Sequence, residues 1–280
     1  MTFRFANVAG RSALVDNHNR WFDLERLSSA RVSADPMRAL FDSAALHEVA
    51  ADLAGATADG EMATAQLQAP VPRPRNCFAV GLNYRTHAAE SRMDLPEQPL
   101  VFTKFPSCIV GPDVDIELRS ATADWEVELV VVIGTAGRDI AAADAWSHVV
   151  GLTVGQDISD RALQFAAKPP HFDLGKSRDG YGPIGPVLVS TDSFANPDDL
   201  MLTCDVNGER RQSDRTSNLI FTVPDLIAYL SGIMTLAPGD IIFTGTPAGV
   251  GVTTGTFLKP GDEIVSIIEG VGTLISRCVA

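Results

Sequence analysis

Asp124-Trp125-Glu126-Val127-Glu128-Leu129-Val130-Val131-Val132-Ile133-Gly134 is the stretch on which the reading of this chain turns. Its apolar residues are β-branched or Leu, and Gly134 closes it, as expected for a buried strand. Side chains on a strand alternate between faces. Asp124, Glu126 and Glu128 therefore project to one side, with Trp125, Val127, Leu129, Val131 and Ile133 on the other. Ionised carboxylates in a strand core are costly unless something positive meets them, and a hard divalent cation is the natural partner for oxygen ligands. The competing reading is a half-exposed strand with a solvated acidic face. Val130 and Val132 argue against it, because they continue the acidic side as apolar residues.

The rest of the composition sets the frame. The chain has 280 residues, 45% hydrophobic and 20% charged, a globular balance with ample material for a core. A formal net charge of −13 disfavours nucleic acid and anionic membrane as partners. No basic segment followed by an apolar one opens the chain, and no apolar run approaches a membrane span, so a cytoplasmic protein is expected. Cys77, Cys108, Cys204 and Cys278 are far apart in sequence and read as buried free thiols rather than as a zinc site.

Residues 1–70 read as a small N-terminal α/β unit. Residues 4–16 alternate weakly. An amphipathic helix is expected from Asp35-Pro36 through Leu40, Ala44, Val49 and Leu53, with Asp35 as N-cap and Pro36 at its first position. Pro70, Pro72 and Pro74 then mark the entry into a second unit, residues 71–280. There, short apolar runs at 77–82, 100–105, 148–154, 184–189, 200–206, 240–244 and 264–268 read as strands. Helices are expected at 141–146, 160–167 and 222–233. Many strands, few helices and frequent Gly and Pro give an α+β, β-dominated fold.

Further groups with chemistry accompany the acidic strand. His87 and Glu90 are three apart, so one helical turn puts them on one face, where a carboxylate can fix an imidazole as a general base; an ordinary surface pair has the same spacing. Asp157 follows an apolar strand and could be a functional loop carboxylate or a helix N-cap. Lys176, after Gly175, could reach an anionic substrate group or simply be solvated. Residues 238–251 run from an apolar strand into a Gly/Thr/Pro loop whose amides and Thr246 hydroxyl could hold a carboxylate, or which could be a tight turn.

Taken in order, these motifs resemble the fumarylacetoacetate hydrolase family. The resemblance is carried by Gly81-Leu82-Asn83-Tyr84 with His87 and Glu90, by Trp125-Glu126-Val127-Glu128-Leu129, and by Gln156-Asp157-Ile158-Ser159-Asp160-Arg161. It is completed by Asn207-Gly208-Glu209-Arg210-Arg211-Gln212 and by Thr244-Gly245-Thr246-Pro247-Ala248-Gly249-Val250-Gly251. It covers residues from about 75 to 278, and the chain resembles the bacterial acylpyruvase and 2-hydroxyhepta-2,4-diene-1,7-dioate isomerase-like members. The resemblance implies a mixed β-roll, usually homodimeric, with Mg2+ or Mn2+ held by Glu126, Glu128 and Asp157. It also implies a lid dyad of His87 and Glu90, with Lys176 as a further catalytic residue and Arg161, Gln164 and Thr246 as substrate contacts. Gln156 stands where the family commonly has Asn, Ala162 stands where Asp is frequent, and the segment between Gln164 and Lys176 is short.

The implied chemistry is turnover of a small keto acid through an enolate. Retention of both dyad members favours hydrolysis of a C–C bond in an acylpyruvate-like or fumarylacetoacetate-like β-diketo acid. Decarboxylation of an oxaloacetate-type acid and isomerisation of a diene acid are the alternatives on the same site. A non-catalytic small-molecule binding protein is the alternative of another class. Asp124 is left without a role.

Overall fold

The computed structural model describes residues 2–280, and its fold is built on strands. The largest sheet runs in the order Arg20–Asp23, Arg11–Val15, Arg4–Val8, Gly182–Val189, Val149–Gln156, Val127–Ile133, Ile241–Phe243, Cys77–Gly81 and Leu100–Thr103. A second, five-stranded sheet runs Glu209–Arg215, Met201–Val206, Glu263–Ile268, Gly272–Val279 and Asp115–Glu117. The α+β, β-dominated class is as expected. The N-terminal residues continue the large sheet, because Arg4 and Phe5 pair with Val189 and Leu188.

The acidic strand lies in the interior of the large sheet. Trp125, Val127, Leu129, Val131 and Ile133 enter one core, and Val130 and Val132 enter another, beside Phe243 and Ile184. Both faces are therefore covered, and the solvated-face alternative fails: Asp124, Glu126 and Glu128 are 0%, 6% and 1% exposed.

One boundary needs correction. The strand begins at Val127, while Ala123–Asp124 pairs separately with Ser159–Asp160. Trp125 and Glu126 lie between two ladders and belong to neither. The apolar run could not show this, because the break is made by partners far away in sequence.

Several helices also differ from expectation in extent or type. The helix foreseen from Asp35 is two, Pro36–Leu40 and Ser43–Ala50. Asp35 caps the first as anticipated, and Asp42 starts the second by accepting the Ala45 N–H. The helix expected at 141–146 is a 3-10 segment, Ala142–His148, and that expected at 160–167 is the single turn Arg161–Gln164. Val223–Ile233 matches its expectation, opened by a capping box between Thr222 and Asp225. Among the described residues no helix is long and apolar enough to cross a membrane, and all four cysteines are buried and free.

Candidate active site

The sheet register converges the carboxylates. Val127–Ile133 runs antiparallel to Val149–Gln156, with Glu128 opposite Gly155 and Val127 opposite Gln156. Asp157 follows directly, and its N–H donates to the Glu126 carbonyl at 2.9 Å. Gly155 has no side chain for a reason of space, since a Cβ there would lie 2.5 Å from Val130 Cγ2. As a result Glu126, Glu128 and Asp157 bring carboxylate oxygens within 4.8 Å of one another, all buried. The N-cap role that Asp157 might have filled belongs to Asp160, which accepts the Leu163 N–H.

Cations surround this cluster. Lys176 Nζ donates to Glu126 Oε2 at 2.8 Å, Asp157 Oδ2 at 2.7 Å and Ser159 Oγ at 2.8 Å. Arg161 donates from Nη2 to Glu126 Oε1 at 2.6 Å, from Nε to Asp124 Oδ2 at 2.8 Å, and from Nη1 to Gln164 Oε1 at 3.0 Å. Burial by itself would raise the Glu126 carboxyl; Lys176 and Arg161 overcome it and hold it low.

Lys104 was not foreseen. It is fully buried and donates to Asp157 Oδ1 at 2.7 Å and to the carbonyls of Lys176 and Tyr181. Burial opposes its charge, but Asp157, together with Cys108 and Glu128, outweighs that burial, so its basicity is raised. The signal was present: a lysine directly following the strand Leu100–Thr103, at the edge of an apolar run.

Lys104, Lys176 and Arg161 thus face the four carboxylates Asp124, Glu126, Glu128 and Asp157. Glu128 is the one with no ion-pair partner; it accepts the Gly245 N–H at 2.7 Å. Burial, with Asp157 and Glu126 alongside, pushes its carboxyl well above the usual range. Three buried carboxylates converging on one point, one of them lacking a cation, form a hard oxygen donor set that fits a divalent ion.

The loop after Ile241–Phe243 ties the periphery together. Besides Gly245 on Glu128, the Gly249 N–H donates to Glu90 Oε2 at 3.0 Å, and the Thr253 hydroxyl donates to Glu90 Oε1 at 2.8 Å. The Gly251 and Val252 N–H groups donate to Asp124 at 2.7 and 2.9 Å. Asp124 therefore has a role the sequence did not reveal: it links Arg161 to this loop. Gly249 has φ +104°, and a Cβ there would meet the Arg211 carbonyl at 1.9 Å, so only glycine fits.

His87 and Glu90 do share one helix, Arg85–Glu90, with Nδ1 to Oε2 at 3.6 Å. That distance is an ion-pair approach rather than a hydrogen bond, and His87 Nδ1 is buried with no hydrogen-bond partner. A charged His87 lies near enough to lower Glu126 further, behind Lys176 and Arg161 in effect. Thr246 Oγ1 donates to the Val127 carbonyl at 2.8 Å and accepts from Gln212 Nε2 at 2.8 Å. Its one proton is therefore directed at the protein. Gln164 is buried and accepts from Arg161. Arg161, Lys176 and the three carboxylates meet at one place, and His87 and Glu90 flank it; Thr246 and Gln164 reach it through Val127 and Arg161.

The family profile described as fumarylacetoacetate (FAA) hydrolase C-terminal matches residues 76–279. The chain belongs to the fumarylacetoacetate hydrolase family. Among family relatives, human oxaloacetate tautomerase FAHD2A, named as mitochondrial, is 46% identical over 215 residues, covering 75% of this chain and 68% of that protein. A solved HpcE-type protein from Mycobacterium smegmatis is 45% identical with a TM-score of 0.92, covering 100% of this chain and 99% of that one. Maleylpyruvate hydrolase from Sphingobium sp. SYK-6, solved with manganese(II) and pyruvate, is 29% identical with a TM-score of 0.83, over 99% and 98% of the two chains. With a 2-hydroxyhepta-2,4-diene-1,7-dioate isomerase from Mycobacterium marinum, 29% identical with a TM-score of 0.75 over 99% of this chain and 98% of that one, hydrolases, isomerases and tautomerases are all represented among its relatives.

Proposed function

We propose that this protein is a divalent-metal-dependent enzyme that moves a proton between the keto and enol forms of a small oxaloacetate-type 2-oxo acid. The observation that carries the reading is the converging triad Glu126, Glu128 and Asp157, flanked by His87, whose Nδ1 lies 3.6 Å from Glu90 Oε2. The 46% identity to an oxaloacetate tautomerase supports this choice over the hydrolysis expected from the dyad alone.

Glu126, Glu128 and Asp157 would hold Mg2+ or Mn2+. Such an ion, when bound, supplies Lewis-acid polarisation of the substrate's carboxylate and keto oxygens. The chain's own residues do the rest. His87 takes the proton from the carbon next to the ketone as the C=C bond forms and delivers it to the ketone oxygen to give the enol, with the reverse transfer for ketonisation, while Glu90 keeps the imidazole in place from the loop at Gly249 and Thr253. Arg161 and Lys176 hold Glu126 ionised and oriented, and Lys176 also positions Asp157. All three Lys176 protons are committed to the protein, so gripping a substrate carboxylate requires it to release one of them.

Hydrolysis of an acylpyruvate-like C–C bond is the second reading, favoured by the same His87–Glu90 pair and by the likeness to a maleylpyruvate hydrolase. There His87 takes its proton from water instead, the hydroxide formed attacks the carbonyl, the C–C bond breaks to release the acid and a pyruvate enolate, and that enolate takes the proton back from His87. Turnover of enol-oxaloacetate, acetylpyruvate and a hydroxymuconate-type diene acid, each with and without Mg2+, separates the readings. Metal-dependent ketonisation of the enol faster than cleavage of acetylpyruvate supports tautomerisation. The reverse order supports hydrolysis, and decarboxylation of oxaloacetate as the fastest reaction overturns both. No turnover of any of them with metal bound supports a binding protein. We also propose a homodimer, tested by sedimentation, and a cytoplasmic location, tested by fractionation.

A further inference from the structure

We propose that Gln156 and Gln212 are positioning residues through which the five-stranded sheet sets the placement of Glu126 and Glu128. The proposal rests on the reading of these carboxylates, with Asp157, as the divalent-cation site. It starts from the break in the acidic strand. Along the acidic strand, the neighbouring strand Ile241–Phe243 pairs with Val130, Val131 and Val132 and reaches no further. The amides of Glu126 and Val127 lie beyond that pairing, in the interior, where an unmet N–H is costly.

Two side-chain amides meet them. Glu126 N–H donates to Gln156 Oε1 at 2.9 Å, and Val127 N–H donates to Gln212 Oε1 at 3.0 Å. The other end of each amide is also committed. Gln156 Nε2 donates to Ser266 Oγ at 2.8 Å and to Cys204 Sγ at 3.4 Å, both on the five-stranded sheet. Gln212, itself on that sheet, donates from Nε2 to Thr246 Oγ1 at 2.8 Å and to the Pro247 carbonyl at 2.9 Å. The two glutamines are 0% and 1% exposed.

The chemistry selects this residue type. A primary amide offers an acceptor on one end and two donors on the other, and both are used here at each position. At Val127 the bonds close into a ring: its N–H to Gln212, Gln212 to the Thr246 hydroxyl, and that hydroxyl to the Val127 carbonyl. Val127 lies between Glu126 and Glu128, so the ring fixes the backbone from which both carboxylates project. Thr246 then belongs to this frame, and the loop that carries the Gly245 amide to Glu128 is held by the same ring.

The test is Mn2+ affinity, read from the electron paramagnetic resonance signal of the free ion, together with the melting temperature. Gln212→Met keeps the shape of the side chain and loses the amide. Gln212→Asn is a milder change that keeps the amide on a stem too short to bridge Val127 and Thr246, and serves if the first variant does not fold. Leu202→Ala, in the core on the same small sheet, is the control for destabilisation alone. We expect each Gln212 variant that folds to raise the Mn2+ Kd roughly tenfold or more, as outer-shell changes do, and Leu202→Ala to lower the melting temperature with native affinity. Native affinity in the Gln212 variants, or an equal loss in Leu202→Ala, overturns the proposal while leaving the metal reading standing. A native chain that binds no Mn2+ removes the metal reading and takes the proposal with it.

Discussion

At the scale of single residues, the site is a problem in charge balance. Lys104, Lys176 and Arg161 are spent on Asp157, Glu126 and Asp124, and Glu128 has only a backbone amide. Removing one member of a buried pair strands the other, at a cost of about 3–5 kcal/mol. Lys104→Met is therefore expected to destabilise the protein by an amount in that range in urea denaturation; an unchanged midpoint would show that Asp157 needs no cation there. His87→Ala separates binding from chemistry: Mn2+ affinity stays native while turnover falls by roughly 10²-fold or more, the usual contribution of a general base. An unchanged rate would remove His87 from the mechanism. At this scale the sequence was informative where spacing carries meaning, as for Glu126 with Glu128 and His87 with Glu90. It set Lys104 at the edge of an apolar run without revealing its partner, and it did not show the role of Asp124, because Asp157, Gly251 and Val252 are 53, 127 and 128 residues away from them.

At the scale of elements, the loop after Ile241–Phe243 joins the parts of the site. It serves Glu128 through Gly245, Glu90 through Gly249 and Thr253, and Asp124 through Gly251 and Val252. Gly249→Ala drives a methyl group into the Arg211 carbonyl at a positive φ, so the loop must move. We expect both a lower melting temperature and weaker turnover, and native values for both would contradict the close approach. Thr222→Ala, which removes the capping box of Val223–Ile233 away from the carboxylates, should cost only about 1 kcal/mol in denaturation and leave turnover native. Apolar strands such as Val127–Ile133 and Val149–Gln156 announced themselves in the sequence. Glu209–Arg215 did not, since Gln212 is the one buried residue in a polar run and the backbone pairing with Met201–Val206 leaves no apolar pattern. The start of the acidic strand was misplaced for a related reason: alternation continues through Trp125 and Glu126, while hydrogen bonding does not.

At the scale of the whole molecule, the acidic strand lies within the large sheet and a hydrophobic core covers each of its faces. The β-dominated class was legible from the density of short apolar runs and of Gly and Pro. The joining of the N-terminal residues to the large sheet through Arg4–Val8 was not, because a strand pairing between Phe5 and Leu188 leaves no local trace in either segment. A ligand that binds only the folded chain stabilises all of it. Mn2+ at a hundred times its dissociation constant should therefore add about 2.7 kcal/mol to unfolding, and chelation should reverse the gain.

The central claim is that Glu126, Glu128 and Asp157 share one divalent ion, and the most direct measurement is anomalous diffraction from crystals grown with Mn2+. The account predicts one strong anomalous peak per chain in contact with oxygens of all three carboxylates, absent in crystals of Glu128→Gln. No peak at this cluster, or the same peak undiminished in Glu128→Gln, would contradict it.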